Sequence, residues 1–320
     1  MKHILKRLAV VLLPVYVWFA FFAAFEPNNY FGFKAGTGSS QPVARVRAYQ
    51  KQPGRNLILG DSRLAHFDEA FIAGICGEEW QDLAFGGASL RETLDLAQYI
   101  LDSGNPVDHI VLGVSFYVLN AGYDTDRFAA LEETLQNPLA YCLNLEYNVN
   151  ALTGLQNWLL HTPDAMETGE WGPEDYFDAD GAPIPVHRIL YDYIDLITPR
   201  CKNWALNEQQ FERIPLLAGQ CRARGIRLTI ILPPMAGIVR ETVCVPFGIE
   251  TEMQEAVLPQ LGAWAEDYGF ALLDYEWGGS CITDDDTQFY DGFHLDEVHG
   301  LPQWTRQLFG DVYREEGAAA

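Results

Sequence analysis

Asn56-Leu57-Ile58-Leu59-Gly60-Asp61-Ser62 is the stretch on which the fold turns. It opens with a short apolar run, closes that run on a glycine, and passes through Asp61 and Ser62 into an amphipathic segment carrying Phe67, Phe71 and Ile75. Apolar run, glycine, small polar residues and helical spacing read as strand, turn and helix. The same succession recurs downstream: Trp80 to Phe85, a Gly86-Gly87 turn, then a helix from Leu90 to Leu101 with Leu94, Ala97, Ile100 and Leu101 on one face. Val107 to Val114, Ile226 to Leu232 and Phe270 to Asp274 supply three further apolar strands. Strands alternating with helices of this length imply parallel pairing, so the expected fold class is α/β: a three-layer α/β/α sandwich around a parallel sheet of about five strands. In such a sheet the site lies beyond the carboxyl ends of the strands.

Outside this frame the chain reads in three parts. Residues 8–25 (LAVVLLPVYVWFAFFAAF) are 18 uncharged, almost wholly apolar residues, about 27 Å long as a helix and close to the hydrocarbon thickness of a bilayer. Lys2, Lys6 and Arg7 precede the run and no acid does, which by the positive-inside bias puts the N-terminus in the cytoplasm and the rest of a single-pass protein outside, in the periplasm or at the cell surface. The run is long, is rich in bulky aromatics and lacks a small-x-small site before Glu26, so residues 1–25 read as stub and uncleaved transmembrane anchor, in preference to a signal peptide. Residues 26–55 hold Pro27, Asn28, Asn29, Gly36, Gly38, Ser39, Ser40, Pro42 and Pro53 and read as an extended linker. Residues 56–320 form the α/β domain. Between its third and fourth strands lies a helical insertion at about 120–205, too long for a structureless loop, followed by a crossover helix over Gln209 to Arg222. The insertion would act as a lid or a groove wall.

Composition narrows the function. The 320 residues are 48% hydrophobic, 13% aromatic and 20% charged, an ordinary globular balance. With 21 basic residues against 44 acidic and a net charge of −23, a nucleic-acid partner held through phosphates is excluded. Six cysteines, at 76, 142, 201, 221, 244 and 281, suit an exported domain; they allow 15 pairings, and no C-x-x-C redox or zinc motif occurs. No cofactor and no metal is expected: His294 and His299 lack the helical spacing of a zinc protease, and Asp284-Asp285-Asp286 reads as a solvated loop. His66 reads as a helix-surface residue, and Trp158, Trp171 and Trp204 as core of the insertion before sugar-stacking platforms.

Two short segments carry the chemistry. Ser62 falls on a turn between a buried strand and a helix start, where unpaired N–H groups favour developing negative charge. Gly-Asp-Ser alone is equally an ordinary helix cap. Asp291-Gly-Phe-His294 adds a carboxylate three residues before an imidazole, a spacing that lets Asp291 fix the tautomer and leave Nε2 of His294 to deprotonate Ser62. Nucleophile, orienter and base then follow in the chain order Ser, Asp, His.

On these residues the chain resembles the SGNH (GDSL-like) hydrolase superfamily over residues 56 to 310. Gly60-Asp61-Ser62 matches the first block, Gly87-Ala88-Ser89 the second, Asp291-Gly292-Phe293-His294 the last, and Leu232-Pro233-Pro234-Met235 is similar to the strand-end loop before it. The resemblance implies Ser62 as nucleophile, His294 as base, Asp291 as its orienter and the Gly87 N–H as an oxyanion donor. The third block departs: where the family has Gly-x-Asn-Asp, this chain reads Gly113-Val114-Ser115-Phe116. Ser115 and Asn120 are the candidates to replace the missing donor, whose loss typically slows turnover ~10²–10³-fold.

An anchor ahead of such a domain is similar to envelope members that O-acetylate alginate and related exopolysaccharides or transfer D-alanine to lipoteichoic acid, beside a membrane-bound O-acyltransferase. The resemblance therefore implies a serine esterase or O-acyltransferase acting on acyl esters of a cell-envelope glycan. The alternative is an accessory protein with a decayed oxyanion hole that binds an envelope polymer or that acyltransferase. A flavodoxin-like phosphate binder is disfavoured by the absence of a glycine-rich phosphate loop.

Overall fold

Five parallel strands, β1 (Asn56–Leu59), β2 (Trp80–Asp82), β3 (His109–Gly113), β4 (Arg227–Leu232) and β5 (Ala271–Asp274), form one sheet in the order β2-β1-β3-β4-β5. All five coincide with the apolar runs in the sequence. The structure is a computed structural model and describes residues 2–33, 41–160, 186–278, 288–297 and 299–319. β1 and β3 are buried along their whole length, which is why they read as continuous apolar runs without alternation. The chain goes from β1 outward to β2, then back across β1 to β3 and on to β5, so the strand order reverses between β1 and β3. A crevice opens at such a switch point, beyond the carboxyl ends of the two strands.

Two glycines close that end of the sheet tightly. A Cβ on Gly60 would lie 2.5 Å from Cδ1 of Leu64, and one on Gly113 would lie 2.4 Å from the same atom. Leu64, fully buried, therefore seats between the ends of β1 and β3 and pulls the Asp61–Phe67 segment down onto the sheet.

The chain divides into two compact units, one of Met1–Arg47 with Ala129–Glu170, the other of Ala48–Phe128 with Trp171–Ala320. The second holds the sheet. Around it run α3 (Glu69–Cys76), α4 (Leu90–Asp102), the crossover helix Arg213–Ala223 and the C-terminal helix Gly300–Ala319. A helix over Leu258–Tyr268, not foreseen from the sequence, leads into β5. The helix expected directly after Ser62 starts later: Ser62 to Ala65 make turns, and α3 begins only at Glu69, where Asp68 Oδ1 accepts the Ala70 and Phe71 N–H groups at 2.9 and 3.0 Å. Asp68 is the better cap because its own backbone is extended.

The first unit holds α1 (Lys2–Phe25), whose Arg7–Phe25 portion is long and apolar enough to cross a membrane. With it lie α5 (Phe128–Gln136), α6 (Pro138–Leu143) and α7 (Leu145–Leu160), the described start of the expected helical insertion. The described parts of residues 26–55, which the sequence reads as an extended linker, depart from that reading. Glu26 is buried and accepts the Tyr141 hydroxyl at 2.5 Å and the Asn28 N–H at 2.8 Å, and Tyr30 stacks on Tyr141 at 4.1 Å. Pro42–Lys51 is a helix, α2, with Val43, Val46 and Tyr49 buried at helical spacing. Pro42 opens the helix, where its missing N–H costs nothing, and Pro53 comes only after its end.

Five cysteines, at 76, 142, 201, 221 and 244, are free thiols. Burial pushes Cys221 up to about 11 and Cys201 to about 12, so both stay protonated and inert. Cys281, Trp171 and Asp284 to Asp286 lie outside the described residues.

Candidate active site

Beyond the ends of β1 and β3 opens a cleft of about 160 Å³, lined among others by Ser62, Gly87, Tyr117, Tyr123, Arg200 and His294. Ser62 Oγ lies 2.6 Å from Nε2 of His294, although 232 positions separate them in the chain. On the other side of the ring, Nδ1 lies 2.6 Å from Oδ2 of Asp291. The second carboxylate oxygen accepts the Phe293 N–H at 3.0 Å and the His294 N–H at 2.8 Å. A carboxylate that is already an acceptor to two N–H groups takes a third proton donor at Nδ1, which leaves the Nε2 lone pair to accept the Ser62 hydroxyl. The three side chains that the spacing singled out are thus brought together in one hydrogen-bonded line.

Their loop is fixed from behind. Gly292 adopts φ +89°, which only glycine takes without strain. Its carbonyl accepts the Ala236 N–H at 2.9 Å, tying the turn to the Pro233-Pro234-Met235 segment after β4. Tyr290 N–H donates to the His294 carbonyl at 2.8 Å, and Phe293 packs at 5.8 Å on Phe116.

Gly87 has φ +66° and lines the same cleft. Its carbonyl accepts the Tyr123 hydroxyl at 2.7 Å and Nη2 of Arg127 at 2.6 Å. Arg127 is itself held by Glu92, which is buried at the start of α4 and accepts Nε at 2.8 Å. That helix start is a full capping box: Ser89 accepts from Glu92 N–H while Glu92 accepts from Ser89 N–H. The second sequence block therefore holds the glycine rigidly. Among the described residues no protein acceptor takes the backbone N–H of Ser62 or of Gly87.

Ser115 and Asn120 are not brought into this cleft. Ser115 is 1% exposed and its Oγ accepts the Val118 N–H at 3.4 Å. The side-chain amide of Asn120 bridges the Gly122 N–H at 2.9 Å and the Arg200 carbonyl at 3.1 Å. Both are committed to shaping the turns after β3, so the expectation that they stand in for the missing third-block asparagine is withdrawn.

Beside the cleft lies a buried ion pair that the sequence patterns do not mark. Arg63 Nη1 lies 3.1 Å from Oε1 of Glu276, the side chains 4% and 0% exposed. Arg63 also lies 3.4 Å from Asp61. Glu276 Oε2 accepts the Phe116 N–H at 3.1 Å and the Trp277 indole N–H at 2.7 Å. One carboxylate thereby ties together the loops after β1, β3 and β5. Burial pushes Glu276 up to about 7 against the opposing pull of Arg63. The available signal was positional: Arg63 follows the serine, and Glu276 stands two residues past a strand at the sheet's carboxyl edge.

The remaining candidates resolve individually. His66 is not a surface residue: it is partly buried and its Nδ1 lies 3.0 Å from Glu297. His299 Nδ1 lies 3.1 Å from Asp296, away from His294. Trp204 donates its indole N–H to the Phe116 carbonyl at 2.7 Å. Trp158, expected in the core, is exposed. Among the described residues no three His, Cys, Asp or Glu side chains are grouped to hold a metal ion. Compared with models of protein families and with curated proteins, the chain gives no match.

Proposed function

We propose that the chain is a membrane-anchored serine esterase or O-acyltransferase of SGNH type, with its catalytic unit outside the cytoplasm and built as a three-layer α/β/α sandwich. The observation that carries the reading is the unbroken line from Ser62 Oγ through His294 to Asp291, at 2.6 Å on each side of the ring. In the first half-reaction His294 Nε2 takes the Ser62 proton as Oγ attacks an acyl carbonyl. The N–H groups of Ser62 and Gly87 hold the tetrahedral oxyanion. The alcohol leaves with the proton from His294, and the acyl group stays on Ser62. In the second, water or a sugar hydroxyl gives its proton to His294, attacks the acyl-serine, and Ser62 departs reprotonated. Acyl esters of a cell-envelope glycan are the proposed substrates, and a membrane-bound O-acyltransferase the proposed partner.

The placing of Ser115 and Asn120 outside the cleft favours one rival, an accessory protein with an incomplete oxyanion hole. A fluorophosphonate probe decides between them. The enzyme reading expects covalent labelling of the folded chain at Ser62 and none of Ser62→Ala; a folded wild-type chain that stays unlabelled overturns it.

A further inference from the structure

We propose that α6 and α7, residues 138–160, are embedded in the outer leaflet of the membrane beside α1 and are covered there by lipid acyl chains. The proposal rests on the reading of α1 as a membrane anchor.

Length is the first argument. At 1.5 Å per residue the Arg7–Phe25 portion of α1 extends roughly 28 Å, enough for a hydrocarbon core of about 30 Å only if nearly all of it is immersed. Its last eight residues already carry contacts to protein. The Trp18 indole N–H donates to Asn148 Oδ1 at 2.9 Å, Phe22 packs edge-on against Tyr141 at 5.5 Å, and Phe25 against Trp158 at 6.0 Å. Clear of these contacts only residues 7–17 remain, roughly 17 Å, about half of a bilayer core. If α1 spans the membrane, the helices that pack on residues 18–25 are at leaflet depth with it.

Their surface is made for that place. Residues 138–160 read PLAYCLNLEYNVNALTGLQNWLL, with Glu146 as their single charge. Leu139, Leu143, Leu145, Val149, Leu152 and Leu159 are between 51% and 78% exposed, as are many apolar residues of α1. In water such a patch is a liability; against lipid it is the matching surface. Two polar side chains at the deeper end, Asn144 and Asn148, are satisfied within the chain, as hydrocarbon requires. Asn148 donates Nδ2 to the Cys142 and Asn144 carbonyls, both at 2.8 Å, and Asn144 Oδ1 accepts the Tyr147 N–H at 3.1 Å. Trp158, level with the outer end of α1, takes the interfacial position aromatics favour. Glu146 and Gln156, both exposed, are the groups that oppose the placement.

The test is photolabelling of the full chain in phosphatidylcholine vesicles doped with a phosphatidylcholine bearing a diazirine near the end of one acyl chain, with adducts mapped by mass spectrometry. Adducts on both α1 and 138–160 are expected. Adducts on α1 alone overturn the inference and leave the anchor standing; adducts on neither overturn both. A cross-linked dimer whose 138–160 segment carries no lipid adduct assigns the face to a second copy and also overturns it. In the double variant Leu152→Glu, Leu159→Glu, adducts on 138–160 should fall several-fold while those on α1 persist; undiminished labelling of 138–160 sinks the proposal.

Discussion

Arg63 and Glu276 face each other at 3.1 Å, their side chains buried and Glu276 joined to the Phe116 N–H and the Trp277 indole. A buried pair of this kind adds little net stability over an apolar pair of the same volume, because desolvating two charges consumes most of their attraction. What it does here is geometric. Arg63 is the residue after Ser62, so the pair fixes where the serine loop sits against the ends of β3 and β5.

Breaking one side of the pair is therefore expected to be severe, and removing both sides mild. Arg63→Met leaves the Glu276 carboxylate without its cation and should cost about 3–5 kcal/mol. The double variant Arg63→Met, Glu276→Gln should recover most of that loss while the rate of Ser62 labelling stays depressed, since the loop is no longer held. Guanidinium denaturation and fluorophosphonate labelling rates on the two variants check this; additive destabilisation would refute the coupling.

Glu276 also sets a pH dependence. Its folded value, about 7, lies above the ordinary carboxyl value of 4.5 because burial disfavours the charge. The folded chain therefore binds this proton more readily than the unfolded one, and the stability that it contributes is complete below pH 4.5 and is lost as pH rises through 7. Between pH 8 and pH 6 the group should add about 1 kcal/mol, read as a rising Tm. Glu276→Gln should flatten that slope; a slope unchanged by the substitution assigns it to other groups.

The strands and the Ser62, Asp291, His294 line were legible because both are written in local patterns: apolar runs ended by glycine, and an acid three residues before a histidine. What escaped was long-range or charged. Arg63 and Glu276 lie beside segments already singled out, yet nothing local tells a buried charge from a solvated one; only the meeting of the β1, β3 and β5 ends does. Ser115 and Asn120 failed for the opposite reason. The absence of the third-block asparagine suggested them as substitute donors, while the turns after β3 needed their side chains for themselves. The grouping of residues 129–170 with residues 1–47 is invisible to periodicity, because it depends on Glu26 and Tyr30 finding Tyr141.

Gly87 and its neighbour make a sharp comparison. A Cβ on Gly87 would meet the Tyr123 hydroxyl at 3.2 Å, on a backbone at φ +66°, which costs a non-glycine residue about 1–2 kcal/mol. A Cβ on Gly86 would meet nothing within 4 Å. Gly87→Ala should slow Ser62 labelling by up to ~10²-fold as the oxyanion N–H shifts, while Gly86→Ala leaves the rate near wild type. Equal rates for the two variants would remove Gly87 from the oxyanion hole.

Asp291→Asn separates orientation from packing. The amide oxygen of asparagine can keep the bonds that Oδ1 now accepts from the Phe293 and His294 N–H groups, so the turn survives and Tm should stay close to wild type. At the other oxygen the chemistry reverses. Where Oδ2 accepts a proton from His294 Nδ1, an NH₂ donates one, and the imidazole must carry its proton on Nε2 instead. That proton then points at Ser62 Oγ, and the ring has no lone pair with which to activate it. The labelling rate should fall by up to ~10⁴-fold with the fold intact, and raising the pH should not restore it, since the fault lies in the tautomer and not in the charge. Asp291→Ala loses the turn contacts as well, so it should combine a similar loss of rate with a lower Tm. A fast Asp291→Asn would show that Ser62 is activated by something other than His294.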